Sequence, residues 1–435
     1  MNTVKIGICG LGTVGGGTLR VLERNADIIR ARAGQAIEVV QIGTRRDNPA
    51  YPTGSIPVTR DVFEVADNPA VDIVVETIGG TTVARELILR ALDNGKHVVT
   101  ANKALIAEHG NAIFQRARER GVSVAFEAAV AGGIPIIKAI REGLSANRIE
   151  WLAGIINGTG NYILTEMRDT GRPFAEALKD AQALGYAEAD PTFDVEGIDA
   201  AHKLVILASI SFGIPLQFDK VYTEGISALE LKDVRYAEEL GYRIKHLGIA
   251  RRTPQGIELR VHPTLVPQER LLANVNGVMN AVMVDGDAMG PTLYYGAGAG
   301  SEPTASAVVA DIIDVSRTLQ SAPCSRVPYL AFNDDHLSDE RILPIEAIET
   351  SFYLRMEAID KPGVLSRIAT ILSDAGISIE ALIQKAPRPG VATVPLILLT
   401  NRVREGLLAE AVTRIEALGS VQGRVVRLRM ESLDG

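Results

Sequence analysis

The stretch VKIGICGLGTVGGG, residues 4–17, decides the fold of the first part of the chain. Its apolar run, Val4–Cys9, predicts a buried strand, and residues 14–24 predict a helix. Three glycines with the spacing G-x-G-x-x-G lie between the two: Gly10, Gly12 and Gly15. In a dinucleotide-binding turn the first glycine allows the tight turn, the second lets the backbone approach a pyrophosphate, and the third lets helix and strand pack closely. The alternative is a glycine turn that binds nothing.

Strands and helices continue to alternate up to about residue 134. Further strands are predicted at 37–46, 71–80, 96–103 and 122–135, and further helices at 81–95 and 104–121. This alternation predicts an α/β protein with a parallel sheet and right-handed crossovers. We therefore expect a Rossmann-type domain at 1–134. Ligands bind at the carboxyl ends of such strands, and several polar residues are predicted there: Thr77, Thr100, Asn102, Lys103 and Glu127.

The second strand ends at Thr44, Arg45 and Arg46. Enzymes that use NAD usually carry an acidic residue at this strand end, where it binds the ribose hydroxyls. Two arginines would instead suit a 2′-phosphate through charge-assisted hydrogen bonds. The alternative is an ordinary basic loop, because Asp47 follows directly. The sequence favours NADP, with NAD as a second cofactor.

Residues 135–300 predict an α+β domain. Antiparallel strands are expected around turns at Pro254–Gly256 and Asp285–Asp287. The glycine-rich segment GAGAGSEP, from residue 296, precedes a long helix. That helix, at about 301–320, is expected to return to the cofactor domain, although a glycine turn before a helix can also be only a linker.

The stretch GYAEADPTFDVEGIDAAHKL, residues 185–204, is unusually acidic. Its carboxylates are Glu188, Asp190, Asp194, Glu196 and Asp199. Pro191 predicts a loop over 186–196, and the apolar pattern then predicts a helix on which Asp199 and Lys203 share a face. One interpretation is an exposed ion pair on the helix surface. The other is an amine at the edge of a cleft, held by Asp199 and faced by the carboxylates of the loop.

The last part of the chain, 351–435, predicts the order βαββαβ. The strands are expected at 352–358, 377–385, 391–400 and 423–431, and the helices at 363–375 and 404–418. Residues 321–350 are expected to be a linker.

Bulk properties exclude several classes of function. The 435 residues carry a net charge of −8, which argues against nucleic acid or an anionic membrane as partner. There are only two cysteines, Cys9 and Cys324, so a reducing compartment without a disulfide framework is expected. No export signal or membrane span is visible, and we expect a cytoplasmic protein.

Several of these motifs together resemble the homoserine dehydrogenase family. The matching pieces are GLGTVG, TANK, EAAVAGGIPII, GIINGTGNYIL, the acidic stretch and GAGAGSEPTASAVVAD, in the family's order from residue 4 to about 318. DKPGVLSRIATIL and GISIEAL, from residue 360, resemble an ACT domain. The chain has no room for the aspartate kinase that some family members carry, so a monofunctional enzyme is expected.

The resemblance implies particular residues. Lys203 matches the family's proton donor and acceptor, Asp199 matches its carboxylate partner, and Lys103 matches a lysine near nicotinamide and substrate. Positions that hold the substrate are Glu188, Asp194 and Thr159. Cofactor positions beyond the glycines are Leu11, Thr13, Val14, Arg45, Gly300 and Glu302. A sodium ion bound by backbone oxygens is implied at Glu127, Val130, Gly132 and Ile134.

The implied reaction is the reversible reduction of L-aspartate 4-semialdehyde to L-homoserine with NAD(P)H, in threonine, methionine and isoleucine biosynthesis. The ACT domain implies feedback by threonine, the alternative being a dimerisation module without a ligand. A homodimer or homotetramer is expected. Two other functions remain open from the sequence: a reductase for a related amino-aldehyde or hydroxy acid, and a catalytically silent amino-acid sensor.

Overall fold

The computed structural model describes residues 3–319, 321–322, 325–385 and 393–433. The chain folds into two compact units. The first comprises Met1–Gly158, Asp199–Val221 and Val278–Glu340. The second comprises Thr159–Ile198, Tyr222–Gly277 and Arg341–Gly435.

A parallel sheet of six strands, counted over the described residues, organises the first unit. The strands are β1 (Thr3–Cys9), β2 (Ala36–Gly43), β3 (Val58–Thr59), β4 (Ile73–Glu76), β5 (His97–Thr100) and β6 (Val124–Ala125). Their order, β3-β2-β1-β4-β5-β6, confirms the predicted Rossmann-type domain. The strand order reverses between β1 and β4, so the ligand crevice of such a sheet lies beyond the carboxyl ends of these two strands.

Several helices of the first unit pack against this sheet. The helices of the unit are α1 (Thr13–Arg24), α2 (Ala26–Ala33), α3 (Phe63–Asp67), α4 (Val83–Asp93), α5 (Lys103–Arg120), α6 (Ile136–Lys138), α10 (Ile198–Phe212, whose first residue belongs to the second unit) and α12 (Ser301–Thr318). The sequence did not predict α2, which is separated from α1 by a single residue, Asn25. Helix α12 packs against α1 through Val308 and Ile312 in the core that contains Leu19 and Leu22, so the glycine-rich segment leads back to this domain.

The predicted strand at 122–135 is wrong beyond Ala125. The buried Glu127 carboxylate accepts backbone N–H groups from Ile137 and Lys138 at 2.9 and 2.8 Å, which bends the chain into α6. Ala131 and Gly132, with φ angles of 53° and 38°, complete the turn. A strand cannot continue through two left-handed residues.

Three further strands of the first unit are antiparallel. They are β7 (Ile149–Ile155), β11 (Met279–Gly286) and β12 (Gly290–Ala297), and β11 pairs with both others.

The second unit contains the helices α7 (Gly158–Thr170, whose first residue belongs to the first unit), α8 (Phe174–Ala183), α9 (Thr192–Val195), α11 (Leu231–Glu239), α13 (Val364–Asp374) and α14 (Glu405–Glu416). Its strands are β8 (Tyr222–Thr223), β9 (Tyr242–Thr253), β10 (Gly256–Pro267), β13 (Glu349–Ile359), β14 (Ile379–Gln384), β15 (Thr393–Thr400), β16 (Val403–Arg404) and β17 (Val421–Met430). The predicted loop at 186–196 is wrong where α9 forms, because Pro191 stands at the position before the first helical residue, which a helix tolerates.

The C-terminal strands run in the order β17-β13-β15-β14, and two helices alternate with them as the βαββαβ pattern predicts. Residues 391 and 392 of one predicted strand lie outside the described residues, as does Cys324. Strand β17 also pairs in parallel with β10, so the C-terminal module and the β9–β10 hairpin share one sheet.

Cys9, in β1, is buried, as predicted, and its burial raises the pKa of the thiol. Of the helices in the described ranges, none combines the length and apolar character that a bilayer crossing requires.

Candidate active site

The three glycines of the turn after β1 have different surroundings. Gly10 has φ 99°, and a Cβ there would lie 2.7 Å from the Thr77 carbonyl oxygen. A Cβ on Gly15 would lie 1.9 Å from the Gly10 carbonyl oxygen, whereas one on Gly12 would meet nothing within 4 Å. The first and third glycines therefore serve packing, and the second leaves the backbone open to a ligand. This arrangement fits a dinucleotide.

The start of α12 lies against this turn. The Ser301 hydroxyl donates to the Thr13 carbonyl oxygen at 2.9 Å. Gly300, which precedes the helix, has φ 130°, a conformation available to glycine alone. The neighbouring Glu302 carboxylate receives two hydrogen bonds from Arg24, at 2.9 and 3.0 Å. Gly300 is thus close to the turn, while the Glu302 side chain is engaged by a residue of α1.

The segment after β2 also reaches the turn. The Asn48 side chain donates to the Leu11 carbonyl oxygen at 2.9 Å. Arg45 and Arg46 are exposed, and the adjacent Asp47 carboxylate is paired with Arg60 at 2.8 Å. The exposed guanidinium groups therefore follow a strand end that lies beside the glycine turn.

Glu76 is a buried residue of this crevice that the sequence analysis missed. Its carboxylate accepts the Thr100 hydroxyl at 2.5 Å and the N–H groups of Ile78 and Gly79 at 2.9 and 3.0 Å. Burial raises the pKa of this carboxyl, and the hydrogen bonds oppose that rise. The side chain ties the carboxyl ends of β4 and β5 together. The signal available in the sequence was a carboxylate at the end of an otherwise apolar strand.

A second cluster forms around Asp199, at the start of α10. Its Oδ2 accepts from the Lys203 amine at 2.7 Å and from the Asn157 amide at 2.8 Å. Its Oδ1 lies 3.1 Å from the amine of Lys103. Lys203 also donates to the Ile156 carbonyl oxygen at 2.7 Å. The sequence predicted that Asp199 and Lys203 would meet, but it missed Asn157 and did not show that Lys103 joins them.

The electrostatics of the cluster depend on its burial. Burial alone would raise the pKa of the Asp199 carboxyl, but the charges of Lys203 and Lys103 outweigh it and hold that pKa well below its usual range. The carboxylate therefore stays ionised and orients two amines. The Asp199 side chain is 5% exposed and that of Lys203 is 11% exposed, so the interpretation as a surface ion pair is wrong. An amine held in this way can give a proton to a substrate oxygen.

Two carboxylates of the acidic stretch have local structural partners. Asp190 accepts the N–H of Thr192 at 3.1 Å at the start of α9, and hydrogen bonds from Thr192 lower the pKa of its carboxyl. Glu196 accepts the hydroxyl of Ser227 at 2.6 Å.

The predicted substrate residues all lie in the second unit. Glu188 is exposed, and Asp194 is half-buried in α9. The Thr159 hydroxyl donates to the Tyr186 carbonyl oxygen at 2.6 Å, which leaves its oxygen able to accept a further hydrogen bond.

The segment with the predicted sodium positions is the turn between β6 and α6. The side chain of Glu127 is engaged by backbone N–H groups, and burial and the nearby Asp311 raise its pKa to about 7. The Ile134 carbonyl oxygen accepts the N–H of Ile136 at 2.8 Å. Val130 and Gly132 lie on either side of the left-handed Ala131. Within the described ranges, no group of three or more His, Cys, Asp or Glu side chains is arranged to hold a metal. Carbonyl oxygens remain suitable in type for a hard cation.

Comparison with known proteins matches three segments of the chain to family models. Residues 135–313 match the family model for homoserine dehydrogenase, and residues 10–127 match the one for the homoserine dehydrogenase NAD binding domain. Residues 352–420 match the ACT domain. A curated homoserine dehydrogenase from Pseudomonas aeruginosa is 68% identical over 434 residues, which covers 100% of both chains.

Solved structures agree with this assignment. The crystal structure of a homoserine dehydrogenase from Thiobacillus denitrificans has a TM-score of 0.96 and 62% identity, and it covers 100% of this chain and 99% of that one. A hyperthermophilic archaeal homoserine dehydrogenase in complex with NADPH has a TM-score of 0.62 and 27% identity, over 73% of this chain and 98% of that one. With a Rossmann-type turn, an amine held by a buried carboxylate and full-length similarity to such relatives, the chain belongs to the homoserine dehydrogenase family of oxidoreductases, which act on a CH–OH group.

Proposed function

We propose that the chain catalyses reversible hydride transfer between NADP(H) and the pair L-aspartate 4-semialdehyde and L-homoserine, in the biosynthesis of threonine, methionine and isoleucine. The observation that carries this proposal is the buried Asp199 carboxylate, which holds the amines of Lys203 and Lys103. Lys103 is the first residue of α5, directly after the carboxyl end of β5. The amines therefore belong to the end of the sheet at which a dinucleotide binds.

In this proposal each residue of the cluster has its own role in the reaction. The bound cofactor supplies or accepts the hydride. Lys203 gives a proton to the aldehyde oxygen in reduction and takes it back in oxidation, with Asp199 keeping its amine in place. A positive amine beside that oxygen also stabilises the negative charge that develops there. Lys103, which is more exposed than Lys203 (34% against 11% of the side chain), shares this task or binds the substrate carboxylate.

The acidic stretch supplies the remaining substrate contacts in this proposal. Glu188 and Asp194 accept N–H groups of the substrate's α-ammonium, and Thr159 accepts a further hydrogen bond. The support is that Asp190 and Glu196 accept hydrogen bonds from neighbouring protein groups, whereas Glu188 is exposed and can contact a ligand.

NADP is the proposed cofactor, with NAD as an alternative. The support is the exposed pair Arg45 and Arg46 after β2, together with the NADPH bound by the archaeal relative. The turn from Glu127 to Ile134 would hold a sodium ion through the backbone oxygens of its residues 127, 130, 132 and 134. Hard cations prefer such ligands.

We assign the chain's segments accordingly. Residues 1–134 and about 301–320 bind the cofactor, and 135–300 bind substrate and form the dimer. Residues 351–435 are regulatory, with threonine as effector, after a linker at 321–350. The active assembly is a homodimer or homotetramer in the cytoplasm. The support for regulation is the match of 352–420 to an ACT domain.

A steady-state assay tests this function. The protein should oxidise NADPH with L-aspartate 4-semialdehyde faster than NADH, and threonine should inhibit the reaction. Lys203→Met should lower kcat by about 10²- to 10⁴-fold, the range of general acid–base catalysis, with little change in the substrate KM.

The matched control is Lys179→Met, since Lys179 is an exposed lysine of α8. A kcat of Lys203→Met within about threefold of the wild-type value would remove Lys203 from the proton-transfer step.

A further inference from the structure

Asn280, on β11, carries a buried side-chain carboxamide. The residue is 1% exposed, and neither its Oδ1 nor its Nδ2 has a partner in the part of the chain that the structure describes. Buried side-chain amides are nearly always hydrogen-bonded. A buried amide without a partner therefore needs an explanation, and a functional role is a common explanation. Both polar atoms of Asn280 are orphaned, which makes the signal stronger than a single unpaired atom.

The amide lies between two glycines. A Cβ on Gly298 would lie 2.1 Å from the Asn280 Nδ2 and 2.4 Å from its Oδ1, so the amide is packed directly onto the Gly298 backbone. On another side, a Cβ on Gly158 would lie 3.6 Å from the Asn280 Oδ1. Since neither glycine has a side chain, only their peptide N–H and C=O groups could pair with the amide.

Both glycines belong to segments of the active site. Gly158 follows Asn157, whose side chain donates to Asp199. Gly298 lies two residues before Gly300, which starts α12 beside the dinucleotide turn. Asn280 is therefore in contact with the segment that holds the catalytic carboxylate and with the segment that leads to the cofactor.

We propose that Asn280 is a positioning residue for the nicotinamide cofactor. When the dinucleotide binds, the backbone of Gly298–Gly300 shifts so that its N–H and C=O groups pair with the Oδ1 and Nδ2 of Asn280. These hydrogen bonds set the position of the start of α12 against the turn. The inference rests on dinucleotide binding by this unit, and it adds a residue to that function.

Asn280→Leu tests the proposal because leucine has a similar volume but no polar atoms. Its Tm without ligand should equal or exceed that of the wild type, since an unpartnered buried amide is removed. The rise in Tm that NADP⁺ produces should fall to about half or less, as expected for weaker binding to the native state. The KM for NADPH should rise about tenfold or more while kcat stays within about threefold.

Two variants complete the experiment. Asn280→Ala introduces no larger side chain and gives the same result if the leucine variant does not fold. Ser211→Ala removes a buried hydroxyl at the end of α10 that also has no hydrogen-bond partner among the described residues, and it should keep the wild-type response to NADP⁺. If both Asn280 variants show the wild-type rise in Tm with NADP⁺ and the wild-type KM for NADPH, the role of Asn280 is overturned, while dinucleotide binding by the unit is not. A wild-type protein whose Tm does not respond to NADP⁺ would overturn dinucleotide binding as well.

Discussion

At the scale of single residues, Asp199 holds together a buried cluster of polar side chains, the proposed catalytic cluster. Its two oxygens serve Lys203, Lys103 and Asn157 in a site with little contact to solvent. The two lysines are not equivalent, since the Lys203 side chain is 11% exposed and that of Lys103 is 34% exposed. Lys203 also binds the Ile156 carbonyl oxygen. We infer that Lys203 contributes to stability as well as to chemistry, and that Lys103 contributes little to stability.

Unfolding experiments with Lys203→Met and Lys103→Met should separate the two residues. Lys203→Met leaves the buried Asp199 carboxylate with only Lys103 and Asn157 as partners, so it should lower the free energy of unfolding by at most about 3–5 kcal/mol. Lys103→Met removes a more exposed partner and should cost about 1 kcal/mol or less. Urea denaturation followed by circular dichroism measures both. Equal losses would contradict the difference in burial as the cause.

At the scale of elements, a histidine joins two neighbouring strands of the parallel sheet. His97, the first residue of β5, is buried, and its Nδ1 accepts the N–H of Ser123 just before β6. Burial and the nearby charge of Arg326 lower the pKa of His97 to about 4. The ring is therefore neutral at neutral pH, as an accepting Nδ1 requires.

This contact predicts how stability depends on pH. Between pH 6.5 and 4 the unfolded state binds a proton at His97 and the folded state does not, so stability is complete above pH 6.5 and is lost as the pH falls towards 4. The total loss from this residue is at most about 3 kcal/mol. His97→Asn keeps an acceptor without titrating, so its Tm should fall less than the wild-type Tm over this range. Parallel pH profiles for the two proteins would contradict this origin of the acid sensitivity.

At the scale of the whole molecule, the second unit is built from three separate parts of the chain. The C-terminal strand β17 pairs with β10, and buried ion pairs cross the unit. Arg429 donates to Glu405 at 2.8 and 2.5 Å and to Glu224 at 2.7 Å. Arg355 binds Asp233 on α11 at 2.5 and 2.9 Å. The C-terminal module is thus a structural part of this unit.

A double-mutant cycle tests the buried ion pair between Arg429 and Glu405, which lies within the C-terminal module. Arg429→Met should lower the free energy of unfolding by about 3–5 kcal/mol, because the Glu405 carboxylate, in a residue that is 3% exposed, loses its main partner. The double variant Arg429→Met/Glu405→Leu should cost less than the sum of the two single variants, since the uncompensated charge is gone. Additive losses would show that the two side chains act independently.

Features that depend on neighbouring residues could be predicted from the sequence. The spacing of Gly10, Gly12 and Gly15 predicted the turn, the i and i+4 positions predicted the contact of Asp199 with Lys203, and periodicity predicted the βαββαβ module. Which distant residues meet, and which become buried, follows from the tertiary structure. It brought Lys103 to Asp199, turned the expected strand after Ala125 into a capped bend, and left Asn280 buried against Gly298. The reason is that turns and helix faces follow from local backbone geometry, whereas burial and long-range contacts depend on how elements that are distant in sequence pack together.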